Sequence, residues 1–290
     1  MPGATSVARL EAPGPRYHGD VSTPERSPSS WPQVSDYAVE PESGAELFDG
    51  EVREAAPAGP LHSRQHSQVD FVLRAYAAAD YGADTDLLTR QAVEHNFASD
   101  TCIRKNGVDP ATGDRYLEEL VFEIKSTQSA RDLEKRTRIM AARGVRRIFA
   151  IPVRGDATGS NLVAGPLAEW MHEEGRWRTY DNDEIIEDPC LYEPLPVRAL
   201  LDAVEADDAV AQALLDKGNR VLVRFGDDRY RAGAEEGARE LIQLLLHDRG
   251  ILIDAAAQER IAGCRDLTVL RRWAVRAARV ASASQLFDEG

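Results

Sequence analysis

The chain has 290 residues, of which 43% are hydrophobic and 29% charged, an ordinary composition for a soluble protein with one sizeable core and an accessory module. The net charge of −14 disfavours unassisted DNA binding, because affinity for phosphates rests largely on Lys and Arg. Three widely separated cysteines argue against a disulfide framework or zinc site, so we expect a reducing cytoplasm. The sequence lacks a signal-type apolar region and a membrane-spanning run, so we expect neither secretion nor membrane insertion.

The N-terminal part divides into a tail and a hairpin. Residues 1–34 are rich in Pro, Ser and Gly and lack periodic apolar positions, which predicts a disordered tail. Residues 45–54, "AELFDGEVRE", place Asp49 and Gly50 between two short β-rich stretches. Because an Asp-Gly pair suits the positive φ angles of a tight turn, this segment is predicted to be a β-hairpin.

An amphipathic helix is predicted over residues 62–81, ending near Gly82. Two histidines, His62 and His66, stand four residues apart on it, a spacing compatible with metal binding but without an acidic or cysteine partner beside them. We expect them to be solvated helix residues, with a role for His66 in a cleft as the alternative. The positions that predict the buried face are Val69, Val72, Leu73, Tyr76 and Ala77.

The middle of the chain alternates strands and helices. Residues 86–104 predict one or two strands, residues 105–119 a turn-rich loop, and residues 120–127, "LVFEIKST", another strand. A helix over about residues 130–142 should bury Leu133, Thr137, Met140 and Ala141, stop at Gly144 and lead into a strand over residues 148–153. This strand–helix–strand crossover implies two parallel strands within a mixed α/β fold.

The remainder is predicted to change from strands to helices. Residues 168–180 and 185–192 suggest less regular strands or turns that extend the sheet, whereas the pattern from residue 194 onward is helical. Residues 234–287 predict three or four short helices, for two of which Asp254 and Asp266 are candidate N-caps. We therefore predict one α/β domain over residues 35–197 and a mainly helical module over residues 198–290.

The strand "LVFEIKST" carries the strongest chemical signal. Side chains alternate between the two faces of a strand, so Glu123 and Lys125 share a face. Asp100 ends the extended segment before the loop, and a hairpin-like connection would bring it to the same sheet edge. Two carboxylates and an amine suit phosphodiester hydrolysis, because carboxylates hold Mg²⁺ and a lysine orients or deprotonates the attacking water. The simpler alternative is an amphipathic strand with a weak ion pair.

A basic strip follows this strand. Residues 131–147 contain seven Arg or Lys residues against two acidic ones, despite the acidic balance of the whole chain. Arg131, Lys135 and Arg138 are candidate contacts for a phosphate backbone, whereas a solvated helix face is the alternative.

These residues resemble a known nuclease pattern. Ser99-Asp100, a loop, and then Glu123-Ile124-Lys125 resemble the PD-(D/E)XK signature, with Ser99 where proline is commonest. The segment "AELFDGEVREAAPAGPLHSRQHSQV" and the segment "RDLEKRTRIMAARGVRRIFAI" resemble the Uma-two family of restriction endonuclease-like proteins over roughly residues 35–155. The resemblance implies a restriction-endonuclease-like mixed sheet flanked by helices, with the C-terminal helical module as an extension.

The resemblance also implies residue roles. Asp100, Glu123 and the carbonyl of Ile124 would bind a divalent cation, Mg²⁺ or alternatively Mn²⁺, and Lys125 would assist the water.

Two further positions match the family less directly. Glu46 corresponds to an acid in the family's hairpin and is either a third carboxylate of the site or a structural hairpin residue. His66 corresponds to a histidine near the start of the family's helix.

Three functional hypotheses follow. The first is a Mg²⁺-dependent endonuclease acting on DNA, with the C-terminal helices serving a homodimer, substrate choice or a protein partner. The second is a catalytically silent nuclease fold that binds another protein, which the net charge of −14 supports. The third, an acid–base enzyme on a small molecule, ranks last because neither a GxGxxG nor a P-loop sequence is present.

Overall fold

A computed structural model of the chain describes residues 39–41, 44–53 and 58–288. The predicted tail over residues 1–34 lies outside the described residues. The strands are β1 (Glu46–Phe48), β2 (Glu51–Arg53), β3 (Tyr81–Ala92), β4 (His95–Lys105), β5 (Glu118–Lys125), β6 (Arg147–Arg154), β7 (Val163–Ala164), β8 (Ala168–Met171), β9 (Arg176–Thr179), β10 (Ile185–Ile186) and β11 (Leu195–Pro196). The helices are α1 (Pro60–Tyr76), α2 (Ala130–Arg143), α3 (Val197–Leu201), α4 (Ala203–Asp216), α5 (Arg220–Asp248), α6 (Ala255–Gly263) and α7 (Leu267–Ala277), followed by a 3₁₀-helix over Ala283–Phe287.

In the described residues nine strands form one mixed sheet, which confirms the predicted fold class. Its main path runs β2-β1-β4-β5-β6-β8-β9, while β3 pairs with β4 and β7 with β6. The strands β5 and β6 are parallel, as the crossover through α2 requires, and the other pairs are antiparallel. The Asp49-Gly50 turn has φ angles of 57° and 75° and joins β1 to β2, so the predicted hairpin is present.

Alternating side chains of β5 supply two apolar layers, one on each face of the sheet. On one face Leu120, Phe122 and Ile124 pack with α1, α3 and α4 in the main core cluster. On the other face Val121 packs in a second cluster that includes Met140 of α2. Because both faces are covered, a charged side chain pointing from β5 toward either helix layer is removed from water.

The helix α2 and its end at Gly144 agree with the prediction from the sequence. Ser129 caps the helix by accepting a hydrogen bond from the backbone of Asp132, and Thr137 and Met140 are fully buried. Gly144 ends the helix with a φ of 116°, the left-handed conformation that favours glycine.

Three boundaries differ from the predictions. The helix α1 ends at Tyr76 instead of near Gly82, because the chain turns at Ala77, which bridges to Leu191. The segment over residues 185–192 does not extend the large sheet, since β10 pairs with β11 in a separate two-stranded sheet. The last helical region begins with one 29-residue helix, α5, and is not a set of short helices alone.

The C-terminal helices have their own hydrophobic cluster. Ile242 and Leu246 of α5 pack against Ile261 of α6 and Leu270 of α7. Asp254 and Asp266 cap α6 and α7 by accepting backbone hydrogen bonds, as predicted. The helices α3 and α4, by contrast, contribute to the core cluster on the sheet. Among the described residues, no helix combines the length and apolar character needed to cross a membrane.

Candidate active site

The candidate site lies where β4 and β5 stop pairing through their backbones. Their ladder ends at the pair Thr101 and Phe122. Beyond it the carboxylate of Asp100 accepts a hydrogen bond from the backbone N–H of Ile124, with Oδ2 and N 2.6 Å apart. The Asp100 side chain therefore replaces the next backbone hydrogen bond between β4 and β5. This bond holds the Asp100 carboxylate beside residues 123–125.

Glu123 is buried next to this carboxylate. It is 3% exposed and lies 3.8 Å from the Nε atom of Arg136, a distance that gives an ion pair without a close hydrogen bond. Its Oε1 atom has no hydrogen-bond partner among the described residues. Burial and then the charge of Asp100 raise the pKa of Glu123 above its usual range, and Arg136 offsets only part of this effect. The site thus holds a carboxylate oxygen that is desolvated and lacks a partner.

Two histidines of α1 cover the Asp100 side of the site. The Nε2 atom of His62 lies 3.5 Å from Oδ1 of Asp100, and this contact raises the pKa of His62. His66 is 8% exposed and its Nε2 atom meets the backbone carbonyl of Asp100. It also lies 3.7 Å from Asp70, which accepts a hydrogen bond from Thr101. The expectation that both histidines are solvated is therefore wrong, because α1 packs across β4 at this point.

Lys125 and Glu46 are the other predicted site residues on the strands around this pair. Lys125 is the last residue of β5, is half-buried, and shares a face with Glu123 by strand alternation. Glu46 accepts a hydrogen bond from the backbone N–H of Ala98 at 3.0 Å and lies 4.0 Å from Arg136. Glu46 consequently joins β1 to β4 and helps to hold Arg136, which matches the structural alternative given for it.

The predicted basic strip divides into two groups. On α2, Lys135 pairs with Asp49 at 2.6 Å and Arg138 with Glu134 at 2.8 Å, while Arg131 is exposed in the first turn. The second group consists of Arg146, which precedes β6, and Arg147, which begins it. These two arginines pair with acidic residues of the sheet and of the following loop, namely Glu119, Glu169 and Asp188. Much of the strip's charge is therefore neutralised inside the chain.

Two site residues received no role from the sequence. The sequence places Arg136 only in the basic strip, although it lies three residues after the buried Leu133 and so shares the inner face of α2. His62 is predicted to face solvent because no acidic or cysteine partner stands beside it in the sequence, whereas its partner Asp100 lies 38 residues away. The helical spacing of Arg136 from Leu133 is the sequence signal that indicates its inward position. No residue close to His62 in the sequence indicates its contact with Asp100.

The chemistry of the donor set fits a divalent magnesium-type cation. No group of three or more His, Cys, Asp and Glu residues suited to a metal was found in the described parts of the chain. Mg²⁺, however, commonly uses one or two carboxylates and completes its shell with water and substrate phosphate. Asp100 and the unpartnered oxygen of Glu123 meet that requirement, since a cation would compensate the charge of the half-buried Asp100 and that of the buried Glu123.

The sheet thus brings an Asp of one strand beside a Glu-x-Lys of its neighbour, the arrangement expected from the resemblance to the PD-(D/E)XK pattern. Residues 31–159 match the family model described as "Uma2: Putative restriction endonuclease", which confirms the resemblance to this family. The Asp100 and Glu123 positions both lie within the matched segment, and the C-terminal helices lie outside it.

One solved structure similar to this chain is described as a "putative nuclease belonging to DUF820" from Anabaena variabilis ATCC 29413. It is 14% identical with a TM-score of 0.41, and the match covers 56% of this chain and 91% of that chain. No curated protein matches the chain.

Proposed function

We propose that the protein is a metal-dependent endonuclease that hydrolyses phosphodiester bonds of DNA. The observation that carries the proposal is the buried carboxylate of Glu123, whose Oε1 atom lacks a partner beside Asp100. Burying such a group without compensation is unfavourable, so its retention at an opened strand edge supports a functional role.

The residues divide the chemical tasks. Asp100, Glu123 and the carbonyl of Ile124 would hold Mg²⁺ or Mn²⁺, and the bound cation supplies Lewis-acid activation of water and charge neutralisation at the phosphate. Lys125, on the face of Glu123, would orient the attacking water, or deprotonate it when its own amine is neutral. His62 holds the Asp100 carboxylate from the α1 side.

Substrate contacts are proposed for the outer face of α2. Arg131 and Arg138 are exposed there, and Lys135 pairs with Asp49 on the hairpin turn. A substrate phosphate would have to displace the exposed Asp49 carboxylate from Lys135. This displacement costs little, because solvent screens the ion pair at the surface.

The test is cleavage of supercoiled plasmid, single-stranded DNA and RNA with Mg²⁺ or Mn²⁺. We expect wild type to cleave DNA and both Asp100→Ala and Lys125→Ala to lose at least about a hundredfold in rate while remaining folded. Lys105→Ala is the matched control, since Lys105 ends the neighbouring strand at the loop. Wild type that leaves all these substrates intact with either cation contradicts the enzymatic proposal.

A second candidate function is a catalytically silent interaction module. It is favoured by the net charge of −14 and by the internal pairing of basic residues near the site, both of which weaken attraction for phosphates. Calorimetry with Mg²⁺ separates the two candidates. Binding that disappears in Asp100→Asn and Glu123→Gln supports the nuclease, whereas the absence of such binding supports the module.

A further inference from the structure

The long helix α5 has an apolar stripe that the described chain leaves uncovered. Its inner face packs in the C-terminal cluster through Ile242 and Leu246. The opposite side carries a line of exposed residues that we call the α5 seam: Val223, Tyr230, Gly237, Leu241 and Leu244. Tyr230 is 75% exposed and Leu244 63% exposed, so large apolar groups face solvent along this helix.

The seam has the spacing of a coiled-coil interface. Val223, Tyr230, Gly237 and Leu244 follow one another at intervals of seven residues, and Leu241 lies four residues after Gly237. Positions that repeat in this way form a narrow stripe suited to one partner helix. At about 1.5 Å per residue the helix is roughly 43 Å long, which is sufficient for several layers of contacts.

The charge of α5 identifies the partner. Residues 220–231 contain four arginines and two aspartates. Residues 232–248 contain four acidic residues and one arginine, and after the buried pair Glu235–Arg239 is set aside three acidic residues remain. One half of the helix is thus basic and the other acidic. Two copies in antiparallel orientation place each half against its opposite, whereas a parallel pair would set like charges side by side.

We propose that two copies of this chain associate through an antiparallel pairing of their α5 helices along the seam. In the register that we propose, Tyr230 of one copy packs on Leu241 of the other, and Ala234, which flanks the seam, faces Gly237 across the centre. The small central residues allow the two backbones to approach closely. An added Cβ at Gly237 would meet no atom of the described chain within 4 Å, so packing inside the chain does not account for the glycine.

The pairing uses one face of α5 and leaves the other available as a control. Phe225 is 64% exposed but lies on the opposite side of the helix from Tyr230, toward the face that packs in the C-terminal cluster. Tyr230→Glu and Phe225→Glu both replace an exposed aromatic residue of the same helix by the same acid. They therefore differ mainly in whether the seam is altered.

Sedimentation velocity of the full chain between about 1 and 100 µM tests association. We expect wild type to dimerise, Tyr230→Glu to weaken the dimer at least about tenfold, and Phe225→Glu to behave as wild type. Circular dichroism checks that both variants keep their helix content. A wild type that stays monomeric throughout this range, or a dimer that Tyr230→Glu leaves unchanged, overturns the proposal.

Cysteine cross-linking tests the orientation. The two other cysteines are buried, so Cys264→Ser provides the background in which Tyr230→Cys and Leu241→Cys are introduced separately. The antiparallel pairing predicts a disulfide only when the two variants are mixed. Cross-linking of each variant with itself, or none in the mixture, contradicts the antiparallel arrangement.

Discussion

Replacing Glu123 by glutamine should stabilise the protein in the absence of a divalent cation. The carboxylate is 3% exposed, has one oxygen without a partner, and lies beside the charge of Asp100. Glutamine keeps the shape of the side chain and removes its charge, so the repulsion and much of the desolvation penalty disappear. The ion pair with Arg136 at 3.8 Å is lost as well, but Arg136 retains a hydrogen bond to the carbonyl of Ala98.

The magnitude follows from the charge, because glutamine still leaves a polar atom without a partner at this place. An unsatisfied buried group costs about 1–3 kcal/mol when neutral and more when charged, and the lost contact with Arg136 offsets part of the difference. We expect Glu123→Gln to gain about 1–2 kcal/mol near pH 8, or roughly 2–8 °C in Tm for a folded unit of this size.

The gain should depend on pH with a definite sign. Because the pKa of Glu123 is raised in the folded state, the stability linked to this group is fully present below its ordinary value of 4.5. It is lost as the pH rises through the folded-state pKa. Thermal unfolding followed by circular dichroism should therefore show the advantage of Glu123→Gln growing from pH 5 to pH 9.

Glu169 provides the matched control. This buried glutamate accepts hydrogen bonds from Arg147 at 2.6 Å and from Tyr180 at 2.5 Å. Although burial raises the pKa of Glu169, those bonds hold it below its usual range, so Glu169→Gln should lower Tm. If Glu123→Gln lowers Tm as much as Glu169→Gln does, Glu123 is a satisfied structural carboxylate and the reasoning for the site is refuted.

Other variants test individual elements. In urea unfolding, His62→Ala should destabilise the protein by about 1 kcal/mol at pH 6 and by less at pH 9. The contact with Asp100 raises the pKa of His62, so its stabilising effect is lost as the pH rises through that pKa. An equal loss at both pH values contradicts a charged contact. Gly144→Ala should cost about 1 kcal/mol in the same assay, since its φ of 116° is strained for any residue with a Cβ, and no loss would exclude the left-handed cap. Asp254→Ala should lower the free energy of unfolding by about 1 kcal/mol because α6 loses its N-cap, whereas Asp254→Asn keeps a capping side chain and should not. Equal effects of the two substitutions would argue against capping.

The elements with local signals were predictable from the sequence. The helix α2 has a capping serine, a periodic buried face and a terminal glycine, and its predicted bounds agree with the structure within a residue or so. The β1–β2 hairpin follows from Asp49-Gly50 alone. In each case the determinant lies within a few residues, so neighbouring sequence contains the necessary information.

The features set by distant contacts were not predictable in the same way. The end of α1 depends on Ala77 meeting Leu191, and the contact of His62 with Asp100 depends on how α1 crosses β4. Tertiary packing determines both of these features. The sequence does not reveal the length of α5 for a different reason: its N-terminal half lacks a buried face from which a helix is usually recognised.

The most direct test of the proposed metal site is an anomalous difference map from a crystal of the wild-type protein soaked in Mn²⁺. The site predicts a peak in contact with the carboxylates of Asp100 and Glu123 and with the carbonyl of Ile124. A map with no peak there, or with Mn²⁺ bound only elsewhere, would contradict the assignment of these residues as a metal-dependent nuclease site.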